Sequence, residues 1–346
     1  MPHKLALIGF GTVGQGLAEI LRDKGDLLRR NFGFDGQVVA VTTLSRGAVY
    51  HPDGLDLQRL LESVRHGGTL DNYPTSPGLE RDWDSLRTIR DCNADTVVEV
   101  SFTDIETGQP AIDHCRAAFK RGKNVVTANK GPLALAYAEL SGLAREQGVR
   151  WAFEGTVMSG TPALRVPPVT LAGNDIAEIR GIFNGTTNYI LTRMEDGLSY
   201  TTALKETQDL GYAEADPTAD VEGFDALAKV VILANVVMNL PLSSEQVACQ
   251  GISHLTSADI GRAKDEGKRW KLIGRVSKAN GQLVASVGPE MVSLADPLAN
   301  VMGALNAITY ECDLAGPITL VGSGAGRKET GFSILIDLIN IQRGLL

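Results

Sequence analysis

The feature that most constrains the fold stands within the first fifteen residues. Leu5-Ala6-Leu7-Ile8 is a short apolar run, and Gly9-Phe10-Gly11-Thr12-Val13-Gly14 follows it directly. A helical pattern then runs from Gln15 to Lys24. Strand, G-x-G-x-x-G and helix in immediate succession build a turn that cradles a pyrophosphate. The first glycine allows the tight turn, the second lets the backbone approach the ligand, and the third lets helix pack on strand. The helix N-terminus adds amide donors and a dipole that favours phosphate. A glycine-rich structural turn is the plainer alternative, and the strand and helix on either side of the motif argue against it.

The rhythm continues. Gln37 to Val41 reads as a second strand, and its end runs Thr42-Thr43-Leu44-Ser45-Arg46-Gly47. An acid at that end would take a free ribose 2′-hydroxyl. None is present there, and Asp35 lies at the opposite end. Ser45 and Arg46 suit a 2′-phosphate instead, so the sequence predicts that NADP(H) is preferred over NAD(H). A solvated loop arginine is the alternative reading of Arg46. Residues 47–90 read as an irregular insertion with a helical stretch near Leu55 to His66. Asp95 to Val100 is a buried strand of parallel type, Gly108 to Arg121 a helix, and Asn124 to Thr127 another strand. Lys130 follows in the loop Ala128-Asn129-Lys130-Gly131-Pro132, at a strand C-terminus, where such sheets bind ligands.

The second half holds a different signal. Glu214, Asp216, Asp220 and Glu222 form an acidic cluster, and from Phe224 to Asn239 nearly every residue is apolar or small. That pattern belongs to a helix buried on most sides. Asp225 and Lys229 interrupt it four residues apart, on one face. A surface ion pair would sit on a polar stripe. This face continues with Ile232, Leu233 and Val236, so the lysine is expected to be half buried or to line a cavity, where it suits proton transfer. Trp151-Ala152-Phe153 reads as a short strand and Glu154 to Pro162 as a loop of small residues. Ile179 to Leu191 reads as strand, turn and helix. Near the end, Ile318 to Val321 meets Gly322-Ser323-Gly324-Ala325-Gly326 and a helix to about Leu345. A glycine-rich junction so late suggests a tail that returns to the nucleotide site.

These elements predict an α/β protein: a Rossmann-type doubly wound parallel sheet with a second α+β domain. The expected boundaries are 1–150 for the nucleotide-binding domain, 151–311 for the second domain, and 312–346 for the returning segment. The net charge of −8 and the lack of a basic run argue against a nucleic-acid partner. No apolar run is long enough to span a bilayer. The four cysteines, Cys92, Cys115, Cys249 and Cys312, lack CxxC spacing and read as buried thiols of a reducing compartment. Met1-Pro2-His3-Lys4 leads straight into a strand, so no signal peptide is expected and the location predicted is cytoplasmic.

Along nearly its whole length the chain resembles the homoserine dehydrogenases. The matching pieces are Gly9 to Gly14, Val97 to Val100, Glu106-Thr107-Gly108, Val125 to Pro132, Glu154 to Pro162, Gly181 to Leu191, Gly211 to Lys229, and Gly322 to Gly326. The most specific are Asn184-Gly185-Thr186-Thr187-Asn188-Tyr189 and Gly211-Tyr212-x-Glu214-x-Asp216-Pro217. The resemblance implies reversible NAD(P)-dependent oxidation of L-homoserine to L-aspartate 4-semialdehyde, in a homodimer that takes a small-molecule substrate, with 151–311 as the catalytic and dimerisation domain. It implies Lys229 and Lys130 near the reacting hydroxyl, with the principal base left open between them. Glu214, Asp220 and Asp225 would surround the substrate ammonium, with Gly185 and Thr186 in the substrate-binding turn. Gly9, Phe10, Gly11, Thr12, Val13, Gly14, Ser45, Arg46, Ser101, Lys130 and Gly324 would contact the cofactor. Glu154, Val157, Ser159 and Thr161 match a loop that holds a monovalent cation, Na+ or K+, by one carboxylate and backbone carbonyls. The physical reading agrees: a zwitterionic substrate needs acids for its ammonium and cations for its carboxylate, and metal-free alcohol oxidation needs a proton acceptor beside the carbon that loses hydride.

The chain departs from the family pattern at Gly155, where alanine is usual, and at Met158 and Ser159, where glycines are usual. Arg165-Val166-Pro167-Pro168-Val169 stands where the family has a helical connection, and adjacent prolines are expected to stop or bend a helix there. The resemblance further implies a short form without a regulatory ACT-type domain. Three other readings compete: a related oxidoreductase acting on another small amino or hydroxy acid, a catalytically silent binding homologue, and a semialdehyde dehydrogenase. The last needs a nucleophilic cysteine with a histidine base, and the only adjacent pair, His114-Cys115, lies inside a helix.

Overall fold

The computed structural model describes residues 1–279 and 282–345. The chain forms two compact units, Met1–Gly160 with Gly326–Leu346, and Thr161–Ala325. The first boundary lies ten residues later than the sequence suggests. The second lies later as well, because the strand ending at Ser323 belongs to the second unit's sheet.

The first unit runs β1 (His3–Ile8), α1 (Thr12–Phe32), β2 (Gly36–Thr42), β3 (Ala48–Tyr50), α2 (Leu57–Ser63), β4 (Glu80–Arg81), α3 (Ser85–Asp91) and β5 (Thr96–Glu99). It continues with α4 (Ala111–Lys120), β6 (Asn124–Thr127), α5 (Lys130–Leu135), α6 (Tyr137–Glu146) and β7 (Trp151–Ala152). The sheet order is β4-β3-β2-β1-β5-β6-β7. From β2 to β7 all neighbours are parallel, while β3 and β4 add an antiparallel edge. That edge comes from the stretch read as an irregular insertion; strands of two or three residues are too short to show a period in sequence. Strand alternation divides the core between two faces. Leu5, Leu7, Val98 and Val126 pack with α1 and the C-terminal helix Arg327–Gln342, whereas Val97 and Val125 pack with α4 and α6. The chain reverses direction across the sheet at β1, so the crevice at the C-terminal ends of β1 and β5 is the expected ligand position.

Helix α1 is longer than its expected stretch. It passes through Gly25 and stops at Gly33, whose φ of 66° is left-handed and whose N–H returns to the carbonyl of Arg29.

The second unit begins with α7 (Val166–Thr170), β8 (Ile176–Ile182), α8 (Gly185–Glu195), α9 (Tyr200–Asp209), α10 (Thr218–Val221) and α11 (Phe224–Val236). It goes on with β9 (Ala248–Cys249), α12 (Ser257–Asp265), β10 (Lys268–Ala279), β11 (Gln282–Ser293), β12 (Leu305–Cys312) and β13 (Gly316–Ser323). The sheet order is β13-β12-β8-β10-β11-β9, antiparallel except for β11 with β9. Helices α8, α11 and α12 pack on it. Gly274 of β10 makes room for this packing: a Cβ there would lie 2.6 Å from the Phe183 ring and 2.8 Å from Val230 of α11. The prolines do not stop the helix at α7. Pro167 and Pro168 occupy its first turn, where the N–H that proline lacks has no intrahelical partner to lose.

The cysteines are free thiols; Cys92, Cys115 and Cys312 are buried, and Cys249 is half buried. Among the described residues, no helix is long and apolar enough to cross a membrane.

Candidate active site

The glycine motif does in the first unit what its spacing predicts. Gly9 has φ 104°, and a Cβ there would lie 2.3 Å from the carbonyl oxygen of Val100. A Cβ on Gly14 would lie 2.6 Å from the carbonyl oxygen of Gly9. At Gly11 nothing lies within 4 Å of where a Cβ would stand. The first and third glycines are therefore required by the protein's own packing, and the second leaves space open for a ligand. Thr12 begins α1, whose first turn carries no acid. Its free amides and dipole favour phosphate.

A cleft of about 470 Å³ opens beside this turn. Gly11 and Thr12 line it together with Arg46, Arg65, His66 and Arg327. Arg327, at the start of the C-terminal helix, is held by Glu19 at 2.7 Å and by Gln15 at 3.0 Å. Arg46 follows the exposed Ser45 and is fixed by its backbone: its N–H donates to the Thr43 hydroxyl at 2.8 Å, and its carbonyl accepts from Leu70 at 2.7 Å. Arg65 and His66 stand at the end of the stretch read as helical, just after α2 stops at Ser63, and His66 has φ 54°. The donor set matches an anionic dinucleotide: open backbone at the turn and cations around it.

Ser101 and Lys130 stand just beyond β5 and β6. Asn129 caps α5 by accepting the Gly131 N–H at 3.1 Å, which places Lys130 at the first helical position. Further on, Glu154 and Ser159 are buried, Val157 is wholly so, and Thr161 opens the second unit. Met158 and Ser159 have φ of 58° and 53°. Left-handed backbone is strained at any residue but glycine, since a Cβ costs about 1–2 kcal/mol in that conformation. Among the described residues, no group of three or more His, Cys, Asp or Glu side chains is disposed around a metal ion.

In the second unit the predicted helix pair comes together. Lys229 is only 6 % exposed. Its Nζ donates to the Phe183 carbonyl at 2.5 Å and to Asp225 at 2.8 Å. Asn184 closes the group. Its oxygen accepts the Thr187 N–H at 2.9 Å and so caps α8, while its NH2 donates to Asp220 at 2.6 Å and Asp225 at 2.9 Å. Thr186 donates its hydroxyl to the Tyr212 carbonyl at 2.8 Å. Burial raises the Asp220 carboxyl above its ordinary range; the hydrogen bond from Asn184 and the charge of Lys229 work against this, while Asp225 adds to it. Asp220, Asp225, Lys229, Gly185 and Thr186 thus share one neighbourhood. Glu214 is exposed on the loop before α10, and no hydrogen bond joins its carboxylate to this group among the described residues.

Sequence reading missed several polar residues here. Asn184 was legible as the cap of the helix that its own turn begins. Lys271, on β10, is fully buried and donates to Asn188 at 2.9 Å and to the Val301 carbonyl at 2.6 Å. Burial brings its pKa down to about 8. Asn306 lies between Gly185 and Gly324 with neither amide atom hydrogen-bonded among the described residues. Gly324 lies in the second unit, and a Cβ there would stand 2.3 Å from the Asn306 amide.

Residues 9–154 match the family model described as homoserine dehydrogenase, NAD binding domain, and residues 162–339 match the homoserine dehydrogenase model. A relative from Pseudomonas canavaninivorans, described as an NAD(+)-dependent homoserine dehydrogenase, is 44% identical over 99% of this chain and 96% of its own length. The homoserine dehydrogenase of Methanocaldococcus jannaschii is 46% identical over 97% of this chain and 98% of its own. The crystal structure of a putative homoserine dehydrogenase from Archaeoglobus fulgidus superposes with a TM-score of 0.88 at 38% identity, covering 99% of both chains. A hyperthermophilic archaeal homoserine dehydrogenase mutant in complex with NADPH gives a TM-score of 0.85 at 32% identity, over 99% of this chain and 98% of that one. The chain belongs to the homoserine dehydrogenase family.

Proposed function

We propose that the chain catalyses the reversible oxidation of L-homoserine to L-aspartate 4-semialdehyde. The observation that carries the chemistry is the buried Lys229, held between Asp225 and the Phe183 carbonyl. A nicotinamide dinucleotide, when bound, supplies the acceptor for the hydride lost from the alcohol carbon. Lys229 acts as the free amine, with two N–H groups still donating to Asp225 and the Phe183 carbonyl. It receives the hydroxyl proton on its lone pair as that carbon is oxidised, and the ammonium so formed returns it to the carbonyl oxygen in the reverse direction. Lys130 assists the same transfer. Asp220 and Asp225, with Glu214, hold the substrate ammonium, and the turn Gly185-Thr186 orients the substrate. Gly9 to Gly14 hold the pyrophosphate, and Ser101 and Gly324 contact the cofactor.

NADP(H) binds more tightly than NAD(H) in this reading. Arg46 lines the open cleft, next in sequence to the exposed Ser45, and no acid at the end of β2 repels a 2′-phosphate. Glu154, with the carbonyls of Val157 and Ser159 and with Thr161, holds Na+ or K+. Two copies associate through the outer strand β13, which pairs only with β12 among the described residues and carries the exposed Val321. The enzyme works in the cytoplasm, in amino-acid biosynthesis that supplies threonine and methionine.

A substrate panel tests the proposal. L-homoserine and aspartate semialdehyde should turn over far faster than other small hydroxy and amino acids. A faster alternative would make this a related oxidoreductase, and cofactor binding with no turnover of any substrate would make it a silent homologue.

A further inference from the structure

We propose that Glu99 and His114, two buried residues with no part in the chemistry above, are positioning residues that set the loops carrying Ser101 and Lys130. The inference rests on the reading that those two residues serve the cofactor and the proton transfer.

Glu99 is the last residue of β5 and is wholly buried. A carboxylate there must collect hydrogen-bond donors. Glu99 Oε1 accepts from the Ser101 hydroxyl and from the Ser101 N–H at 3.3 Å, and hydrogen-bonds with His114 Nδ1 at 3.2 Å. His114 comes from α4 and is itself buried. The Thr127 hydroxyl, at the end of β6, donates to the Glu99 carbonyl at 2.7 Å and lies 3.3 Å from Oε2. The same Thr127 oxygen accepts the Asn129 N–H at 2.9 Å. Asn129 then donates to the Phe102 carbonyl at 3.0 Å and caps the helix that Lys130 begins.

The carboxylate therefore reaches Ser101 directly, and the Glu99 backbone carbonyl, with a longer contact from Oε2, reaches Lys130 through Thr127 and Asn129. The two loops are also tied to each other, because Asn129 of one bonds Phe102 of the other. Both ends lie at the C-terminal edge of the parallel sheet, where ligands bind. A displacement of about 1 Å at such a position can cost on the order of 10²-fold in rate.

Glu99→Leu removes every acceptor on this side chain at similar volume, and Glu99→Gln retains one. The leucine variant should weaken cofactor binding and lower kcat by about tenfold or more each, and the glutamine variant should recover to within about threefold. Thr127→Val, nearly isosteric, guards against a leucine variant that does not fold. It should lower kcat by about tenfold with the KM for homoserine unchanged. Cofactor titration, steady-state kinetics and thermal unfolding are measured on each, beside Ser101→Ala and Lys130→Ala. Folded Glu99→Leu or Thr127→Val protein with unaltered cofactor affinity and kcat, while Ser101→Ala or Lys130→Ala is impaired, would overturn the positioning role. If Ser101→Ala and Lys130→Ala are also silent, the underlying assignment of those residues fails, and the proposal with it.

Discussion

Asp220 shows how a site residue draws its character from its surroundings. Its carboxyl is raised by burial and by the nearby charge of Asp225, so it binds a proton more readily than an exposed aspartate. If it holds the substrate ammonium, kcat/KM for homoserine falls on the acid side as Asp220 protonates, at a higher pH than an ordinary aspartate would set. Asp220→Asn should raise the KM by an amount equivalent to about 1.5–3 kcal/mol and remove that acid limb from the pH profile. An unchanged KM would take Asp220 out of the substrate site. Glu214→Gln is the companion test, and its exposed position makes it the more demanding one. Lys229 and Asp225 were legible because two charges four apart interrupt an apolar helix. Glu99, His114 and Asn306 were not, because their roles come from partners far away in sequence, and no period or local motif marks such partners.

At the scale of elements, legibility followed length and punctuation. Helix α11 and the strand–turn–helix at the N-terminus stand out because period and turn residues agree. The prolines of α7 misled, since proline ends a helix only from within it. The long hairpin of β10 and β11 went unread. Its buried lysine offers a test of the packing. Lys271 has a folded-state pKa of about 8 against an ordinary 10.5. Below pH 8 it is charged in both folded and unfolded chains, and the cost of burying that charge is fully present. Between about pH 8 and 10.5 the unfolded chain binds more protons, so folding stability rises with pH, by at most about 3 kcal/mol. The stability difference between the wild type and Lys271→Met, followed by denaturant unfolding, should move in favour of the wild type across that window. A difference that stays flat from pH 7 to 10.5 would mean that Lys271 is not desolvated as the structure has it.

At the scale of the molecule, the chain divides its tasks. The first unit carries the glycine turn and the cationic cleft, and the second carries the buried lysine and its acids. The doubly wound sheet and the second unit were legible from the order of motifs. Their boundaries were not, because Gly322 to Gly326 closes one sheet and leads into a helix of the other unit, and local sequence cannot say which sheet a strand joins. The cleft yields its own prediction: Arg46→Ala should erase most of the difference in affinity between NADP(H) and NAD(H) in paired titrations, without changing the fold. Equal affinity of the wild type for both cofactors would set the 2′-phosphate reading aside. Tight binding of one cofactor need not mean faster turnover with it, since only interactions gained in the transition state raise kcat.

The division of tasks makes Lys229→Ala the most direct measurement. Homoserine oxidation and cofactor binding are followed side by side in this variant and the wild type. The wild type should oxidise L-homoserine. The variant should bind cofactor with unchanged affinity while kcat falls by about 10²–10⁴-fold. A folded Lys229→Ala enzyme that oxidises homoserine at near the wild-type kcat would contradict the assignment of proton transfer to this lysine.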